Sequence, residues 1–285
     1  MSSPKLSVLV VSLDGRVPAS VTAAVAKHAD DVELVLVSGV SPVGRARNAA
    51  LDRAHGEFLA WVDDDDDVAD DWLDEILKAT REPDVDVVVF GHEWGVSEED
   101  RRVKTWRGTD LLADLFKDRE CFSTLWDKVT RRTLWDGVRF DETALTSEDW
   151  EVLPHVLVRA RRVVRIDKSL YFYRRRPGSL TTTPTEQMLD DARTRAAARM
   201  KLRDDPAFAA YRREIVQGVA NAMSENPRGA SWLRRNALLW LTSGACPRRL
   251  AKFAVRSFFT TTRSTPNTDT TRTSRRSTTR PTRSA

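Results

Sequence analysis

Five consecutive aspartates, Asp63 to Asp67, close an apolar run, Gly56–Asp63 (GEFLAWVD). Carboxylates crowded at one strand end repel one another. A hard divalent cation, Mn2+ or Mg2+, relieves that repulsion and recruits phosphate oxygens. The competing reading is a solvated acidic loop leading into a helix whose positive N-terminus favours Asp70 and Asp71; for Asp67, Asp70 and Asp71 that reading is adopted. Cations accompany the acids. Arg45 and Arg47 could reach a phosphate or a base, or stay solvated or salt-bridged as surface arginines usually do. Arg174 to Arg176 follow an apolar strand and could clamp a diphosphate. Trp61, Trp126 and Trp150 could stack on sugar rings or serve as core and wall. The four histidines are isolated and take no role.

These residues need a frame. Leu6–Leu13, Val32–Ser38, Gly56–Asp63 and Val85–Phe90 are short, β-branched and nearly continuous in apolar character, as strands buried on both faces are. Between them Pro18–Ala29, Gly44–His55 and Ala69–Thr80 carry apolar residues at helical spacing, with Ala46, Ala49, Ala50 and Ala54 forming one face of the second. That alternation predicts an α/β fold, a parallel sheet covered on both sides, whose carboxyl edge binds ligands. From about residue 109 helices (Thr109–Lys117, Asp149–Ala160) join antiparallel-looking strands (Arg162–Asp167, Ser169–Arg174), and residues 185–259 read as helical.

The motifs, in order, resemble family 2 glycosyltransferases. Gly44-Arg45-Ala46-Arg47-Asn48-Ala49-Ala50-Leu51, Ala54-His55-Gly56-Glu57-Phe58-Leu59 and Trp61-Val62-Asp63-Asp64-Asp65-Asp66 match that family's pattern without a gap as far as Leu73. Leu125–Val129, Arg139–Asp141, Ser147–Trp150, Leu170–Arg174 and Gly178–Leu180 resemble its second half, so the likeness spans roughly residues 6–182. It implies a GT-A fold, a mostly parallel sheet flanked by helices, and inverting transfer of a sugar from a nucleotide-sugar, a UDP-sugar first, to an acceptor hydroxyl. By the pattern Asp65 holds the metal, Mn2+ or Mg2+, while Asp63 or Asp64 faces the ribose. A metal there stabilises charge on the leaving nucleoside diphosphate. The Glu148-Asp149 pair falls on the element whose Asp is the general base, which takes the acceptor's proton. Capping by Ser147, with both acids favourable in a first helical turn, is compatible with that role.

Two positions depart from the family. Ser38 stands where the second strand usually ends in a uracil-recognising Asp, and Val11-Ser12-Leu13-Asp14 replaces the first-strand signature. Ser12, Ser38, Asp63, Asp64 and Arg47 are the expected donor contacts. The unusual base-recognition half leaves a second reading open, a catalytically silent nucleotide-sugar or glycan-binding module.

The chain has 285 residues, 41% apolar and 31% charged, which excludes collagen-like, coiled-coil and wholly disordered classes. Two cysteines, Cys121 and Cys246, exclude a disulfide framework, and no cysteine-histidine spacing suits structural zinc. Leu6–Leu13 is too short for a membrane span and lacks a signal peptide's flanks, so a cytoplasmic protein is expected. Charge divides the chain: residues 1–184, the expected GT-A domain, carry a net −8, residues 185–259, a helical basic extension, +7, and residues 260–285, a Thr/Ser/Arg tail, +5. The tail has almost nothing to bury and is expected to be disordered. Arg228 to Arg256 hold seven cations and no acid among leucines and tryptophans. Such helices could lie on an anionic membrane surface at the inner face of the plasma membrane, or pack as a cap. The acceptor would then be a glycan or a lipid-linked glycan of the envelope. No motif supports nucleic-acid binding by the arginines.

Overall fold

The computed structural model describes residues 3–95, 102–104, 110–117, 123–174, 185–225 and 229–242. Arg175, Arg176, Gly178–Leu180, both cysteines and the expected tail over 260–285 lie outside the described residues.

Strands β1 (Leu6–Ser12), β2 (Val32–Ser38) and β3 (Phe58–Asp63) are parallel neighbours. They join β4 (Asp67–Val68), β5 (Val87–Gly95), β7 (Lys128–Arg131) and β8 (Val163–Arg174) in the order β2-β1-β3-β7-β5-β8-β4, with β6 (Arg102–Lys104) paired to β5. Five strands, β1, β2, β3, β5 and β8, share one direction; β7 runs against both β3 and β5, β6 against β5 and β4 against β8. The sheet is therefore mostly parallel, as GT-A requires. Helices α1 (Ala19–Lys27), α2 (Val43–Arg53) and α3 (Trp72–Thr80) are the crossovers between strands. Helices α4 (Leu111–Lys117) and α5 (Glu148–Leu157) follow, then α6 (Glu186–Ala198), α7 (Arg212–Glu225), α8 (Ala230–Arg235) and α9 (Ala237–Thr242).

Strand parity sets two cores. Leu6, Val8 and Val10 of β1, with Phe58, Ala60 and Val62 of β3, pack with Trp72, Leu73, Ile76 and Leu77 of α3. Leu9, Leu59 and Trp61 face the other way, toward Ala46 and Ala50 of α2, Leu115 and Phe116 of α4, and Leu153 and Val156 of α5. Each fully buried large side chain contributes about 1.5–3 kcal/mol. Helix α2 approaches closely because residue 44 is glycine: a β-carbon there would stand 2.4 Å from the carbonyl oxygen of Asp141.

One expectation is corrected. The two antiparallel strands expected over 162–174 are a single strand, β8, which runs parallel to β5 and antiparallel only to the short β4. A register shift around Gly91 absorbs the polar Asp167-Lys168 interruption that suggested two strands. The helices after residue 185 do not stand apart, since Phe208 and Ile215 are buried in the same core as Phe116 and Trp150. Among the described residues no helix is long and apolar enough to cross a membrane.

Candidate functional site

The carboxyl ends of the three parallel strands meet at one edge. Register places Ser12 beside Ser38 and Val11 beside Asp63. Ser12 is buried; its hydroxyl lies 2.5 Å from a carboxylate oxygen of Asp64 and 2.9 Å from Asp14, and accepts the N–H of Arg16 at 3.0 Å. It works as an internal tie between the first and third strand ends. Ser38 is exposed at the tip of β2.

Asp66 anchors the aspartate turn from below. It is 2% exposed and accepts the Tyr171 hydroxyl at 2.7 Å and the backbone N–H of Arg174 at 2.8 Å. The Tyr171 oxygen in turn accepts the N–H of Asp63 at 3.1 Å. Burial, reinforced by the charges of Asp63 and Asp65, pushes the Asp66 carboxyl up to about 7. Burial, with the charges of Asp63 and Asp66, pushes the Tyr171 phenol well above its usual range, so it stays a donor. Asp67 pairs with Arg174 and accepts the Ser20 hydroxyl at 2.8 Å. That pairing turns the Arg174 charge onto the protein's own acid.

Arg47 lies at the centre. It is 6% exposed, and its guanidinium donates to Glu148 Oε1 at 2.8 Å, contacts Asp149 Oδ1, and stands 3.6 Å from Asp63 Oδ1. Trp61 and Phe140 flank it, with ring centroids 5.9 and 5.6 Å away. Sequence reasoning placed Arg47 on the donor; in the structure its charge faces these three carboxylates. Asp63 remains 34% open at its side chain. Its carboxyl is pushed up, by burial first and then by Asp65, Glu148 and Asp64, against the pull of Arg47. Arg45, one turn-face away, is exposed.

Asp149 reaches this edge because α5 starts there. Ser147 does not cap it: its backbone is left-handed, with φ of 62°, and its side chain makes no cap hydrogen bond. An N-cap acts from extended backbone, and the left-handed turn denies Ser147 that geometry. The loop before α5 is held by Asn48, which donates to the Phe140 carbonyl at 3.0 Å and accepts its N–H at 2.9 Å. Arg195 of α6 grips the same loop through Asp141 at 3.0 Å and α5 through Glu151 at 2.7 Å. Trp61, Trp126 and Trp150 are all buried, and Trp126 stacks on Tyr171 at 4.5 Å, so they are wall and core.

The donor set suits a hard cation. The repulsion from Asp65 and Asp64, which adds to burial in raising the Asp63 carboxyl, is what a cation beside Asp63–Asp65 would relieve. Among the described residues no three His, Cys, Asp or Glu converge as a closed cage. Mg2+ does not need one, because it binds through one or two carboxylates plus phosphate oxygens and water.

Two contacts escaped sequence reasoning, the Arg47 bridge to Glu148 and Asp149, and the Tyr171 bond to Asp66. The first joins residues a hundred positions apart and left no local signal. The second was readable in principle, since a tyrosine in a buried strand needs a partner for its hydroxyl.

Residues 9–141 match the family model for glycosyl transferase family 2. Over that stretch the chain is similar to glycosyl transferase family 2. The family model's match ends before Glu148 and Asp149. The chain is 26% identical over 200 residues to glycosyltransferase GlyA of Streptococcus pneumoniae serotype 4, covering 63% of this chain and 28% of that protein. It is 28% identical over 158 residues to the uncharacterized glycosyltransferase EpsJ of Bacillus subtilis, covering 51% of this chain and 46% of that one. The chain thus spans about a quarter to a half of the length of these curated relatives. The crystal structure of S. aureus TarS in complex with UDP-GlcNAc superposes with a TM-score of 0.53 at 15% identity, covering 89% of this chain and 92% of that chain. That likeness speaks to the fold, which is GT-A.

Proposed function

We propose that this chain transfers a sugar, with inversion, from a nucleotide-sugar to an acceptor hydroxyl in the synthesis of an envelope or extracellular polysaccharide. The observation that carries the reading is the gathering of Asp63, Glu148 and Asp149 around one buried arginine at the carboxyl edge of parallel strands. Asp149 takes the acceptor hydroxyl's proton as that oxygen attacks the anomeric carbon from the side opposite the leaving diphosphate. Asp63 and Asp64 hold the donor's ribose side, and Ser12 keeps Asp64 in place. The exposed Ser38 meets the nucleotide base. Asp65 would hold Mn2+ or Mg2+, which stabilises charge on the departing nucleoside diphosphate. A UDP-sugar is the first donor to try, given that TarS of the same fold was crystallised with UDP-GlcNAc. The protein works in the cytoplasm at the inner face of the membrane, where the exposed Leu238 and Leu241, beside Arg234 and Arg235, meet anionic headgroups and bring a lipid-linked acceptor near.

The lone serine at the tip of β2 and the inward hydroxyl of Ser12 favour a second reading, a silent nucleotide-sugar or glycan-binding module. The test is UDP release from UDP-GlcNAc, UDP-glucose and UDP-galactose with Mn2+, beside calorimetric binding of each. Release supports the transferase. Binding without release supports the module, and neither would overturn both.

A further inference from the structure

We infer that Arg47 is a positioning residue, which holds Asp149 in place for proton abstraction and ties it to the Asp63 end of the donor site. The inference rests on the transferase reading above.

The geometry is specific to arginine. One guanidinium meets Glu148 and Asp149 through Nη1 and approaches Asp63 through Nη2. Its planar fork can span acids on two different elements; a lysine ammonium is a single point charge and cannot. Burial decides the role. A phosphate clamp must offer N–H groups to solvent or ligand, whereas Arg47 is closed in by Trp61 and Phe140, donates to Glu148 and lies beside Asp149 and Asp63, and its unpartnered Nε–H is buried. The three come from different places: Asp63 ends β3, while Glu148 and Asp149 begin α5. Ser147 does not cap α5, and its first turn is held by two arginines, Arg47 at Glu148 and Arg195 at Glu151. Asn48, the next residue on α2, clasps Phe140 on the approach to the same helix, so α2 fixes both the loop and the acid. A base displaced by an ångström costs on the order of 10²-fold in rate. The side chain that fixes Asp149 therefore acts on turnover without touching the acceptor.

The experiment has two arms. In the first, Arg47→Lys is assayed with whichever of the three UDP-sugars the wild type turns over. The expected result is a fall in kcat of about 10- to 100-fold, with KM for the UDP-sugar within about threefold of wild type. A tenfold or larger rise in KM at unchanged kcat would make Arg47 a donor clamp and overturn the inference, as would unchanged kcat and KM. In the second arm, NMR of the 13C,15N-labelled chain observes the Arg47 Nη hydrogens, assigned through bonds from the Arg47 backbone. They should exchange slowly in the wild type and shift in Asp149→Asn. Hydrogens that ignore Asp149→Asn would overturn the inference even if Arg47→Lys failed to fold. If the wild type turns over no nucleotide-sugar, the transferase reading and the catalytic role fail together. The second arm still decides whether Arg47 holds Asp149.

Discussion

The Tyr171 hydroxyl donates to Asp66 and accepts from the backbone of Asp63, so one side chain from β8 spans the aspartate turn that ends β3. The turn is thereby pinned from inside the sheet, and Asp63, Asp64 and Asp65 stay part-exposed at its rim.

Tyr171→Phe should keep the ring stacked on Trp126 and lose both hydrogen bonds. Losing the hydroxyl, which leaves Asp66 only the Arg174 N–H and the Asp63 N–H without an acceptor, should cost about 1–3 kcal/mol. Binding of UDP with Mn2+ should weaken as the turn loosens. Thermal unfolding and calorimetry on one preparation check both effects, and unchanged binding would detach the turn from donor recognition.

Asp65→Ala tests the metal position. UDP at 100 times its Kd should stabilise the wild type by about 2.7 kcal/mol, a shift on the order of 5–10 °C in melting temperature when Mn2+ is present. The variant should show little of it. Equal shifts in the two proteins would remove Asp65 from the metal.

Asp149→Asn should retain UDP and Mn2+ binding while transfer falls roughly 10²–10⁴-fold. Glu148→Gln should lose less, because its carboxylate is committed to Arg47 and more deeply buried. Near-normal transfer by Asp149→Asn, measured as product per folded molecule, would end the assignment of the base.

Asp66 gives a pH signature. Its carboxyl titrates near 7 when folded and near 3.8 as the ordinary value, so the folded state binds the extra proton between those limits. Stability contributed by the protonated form is then full below the ordinary value of 3.8 and lost as pH rises through about 7. Asp66→Asn, which cannot ionise, should gain on the wild type over that window, by a few kcal/mol at most. Melting temperatures of both proteins from pH 4 to 8 in chelator supply the comparison, and a constant difference would contradict the shift.

The exposed leucines of α9 offer a surface test. Leu238 and Leu241 are 78% and 63% exposed, so replacing both with serine should change stability by no more than about 0.5 kcal/mol. Flotation with phosphatidylserine vesicles at low salt should drop. No binding by the wild type would leave α9 without a membrane role.

The strands and crossovers of residues 6–80 were legible because each carries its own period: continuous β-branched runs for β1, β2 and β3, small residues at helical spacing for α2. The aspartate turn was legible as chemistry because five like charges in a row demand a reason. The short strand β7 was not, since Lys128 and Thr130 break any apolar run and are buried only by neighbours on both sides. The inward turn of Arg47 was equally hidden. Its sequence neighbours say only that it lies on an amphipathic helix, and the acids that hold it arrive from α5 after a hundred intervening residues.

Helix α7 rests on α4 through Gly218, where a β-carbon would lie 1.9 Å from the Phe116 carbonyl oxygen. Phe116 in turn contacts the rings of Trp150, one residue from Asp149, and of Phe208 and Tyr211 just before α7. The late helices and the proposed base therefore share one support, and the two are not portable separately. A hybrid that grafts the strands and turns of this chain onto the C-terminal helices of a relative would have to carry α4, α5 and α7 as a set. Swaps that divide them should yield proteins in which the start of α5 is misplaced even though every motif residue is present.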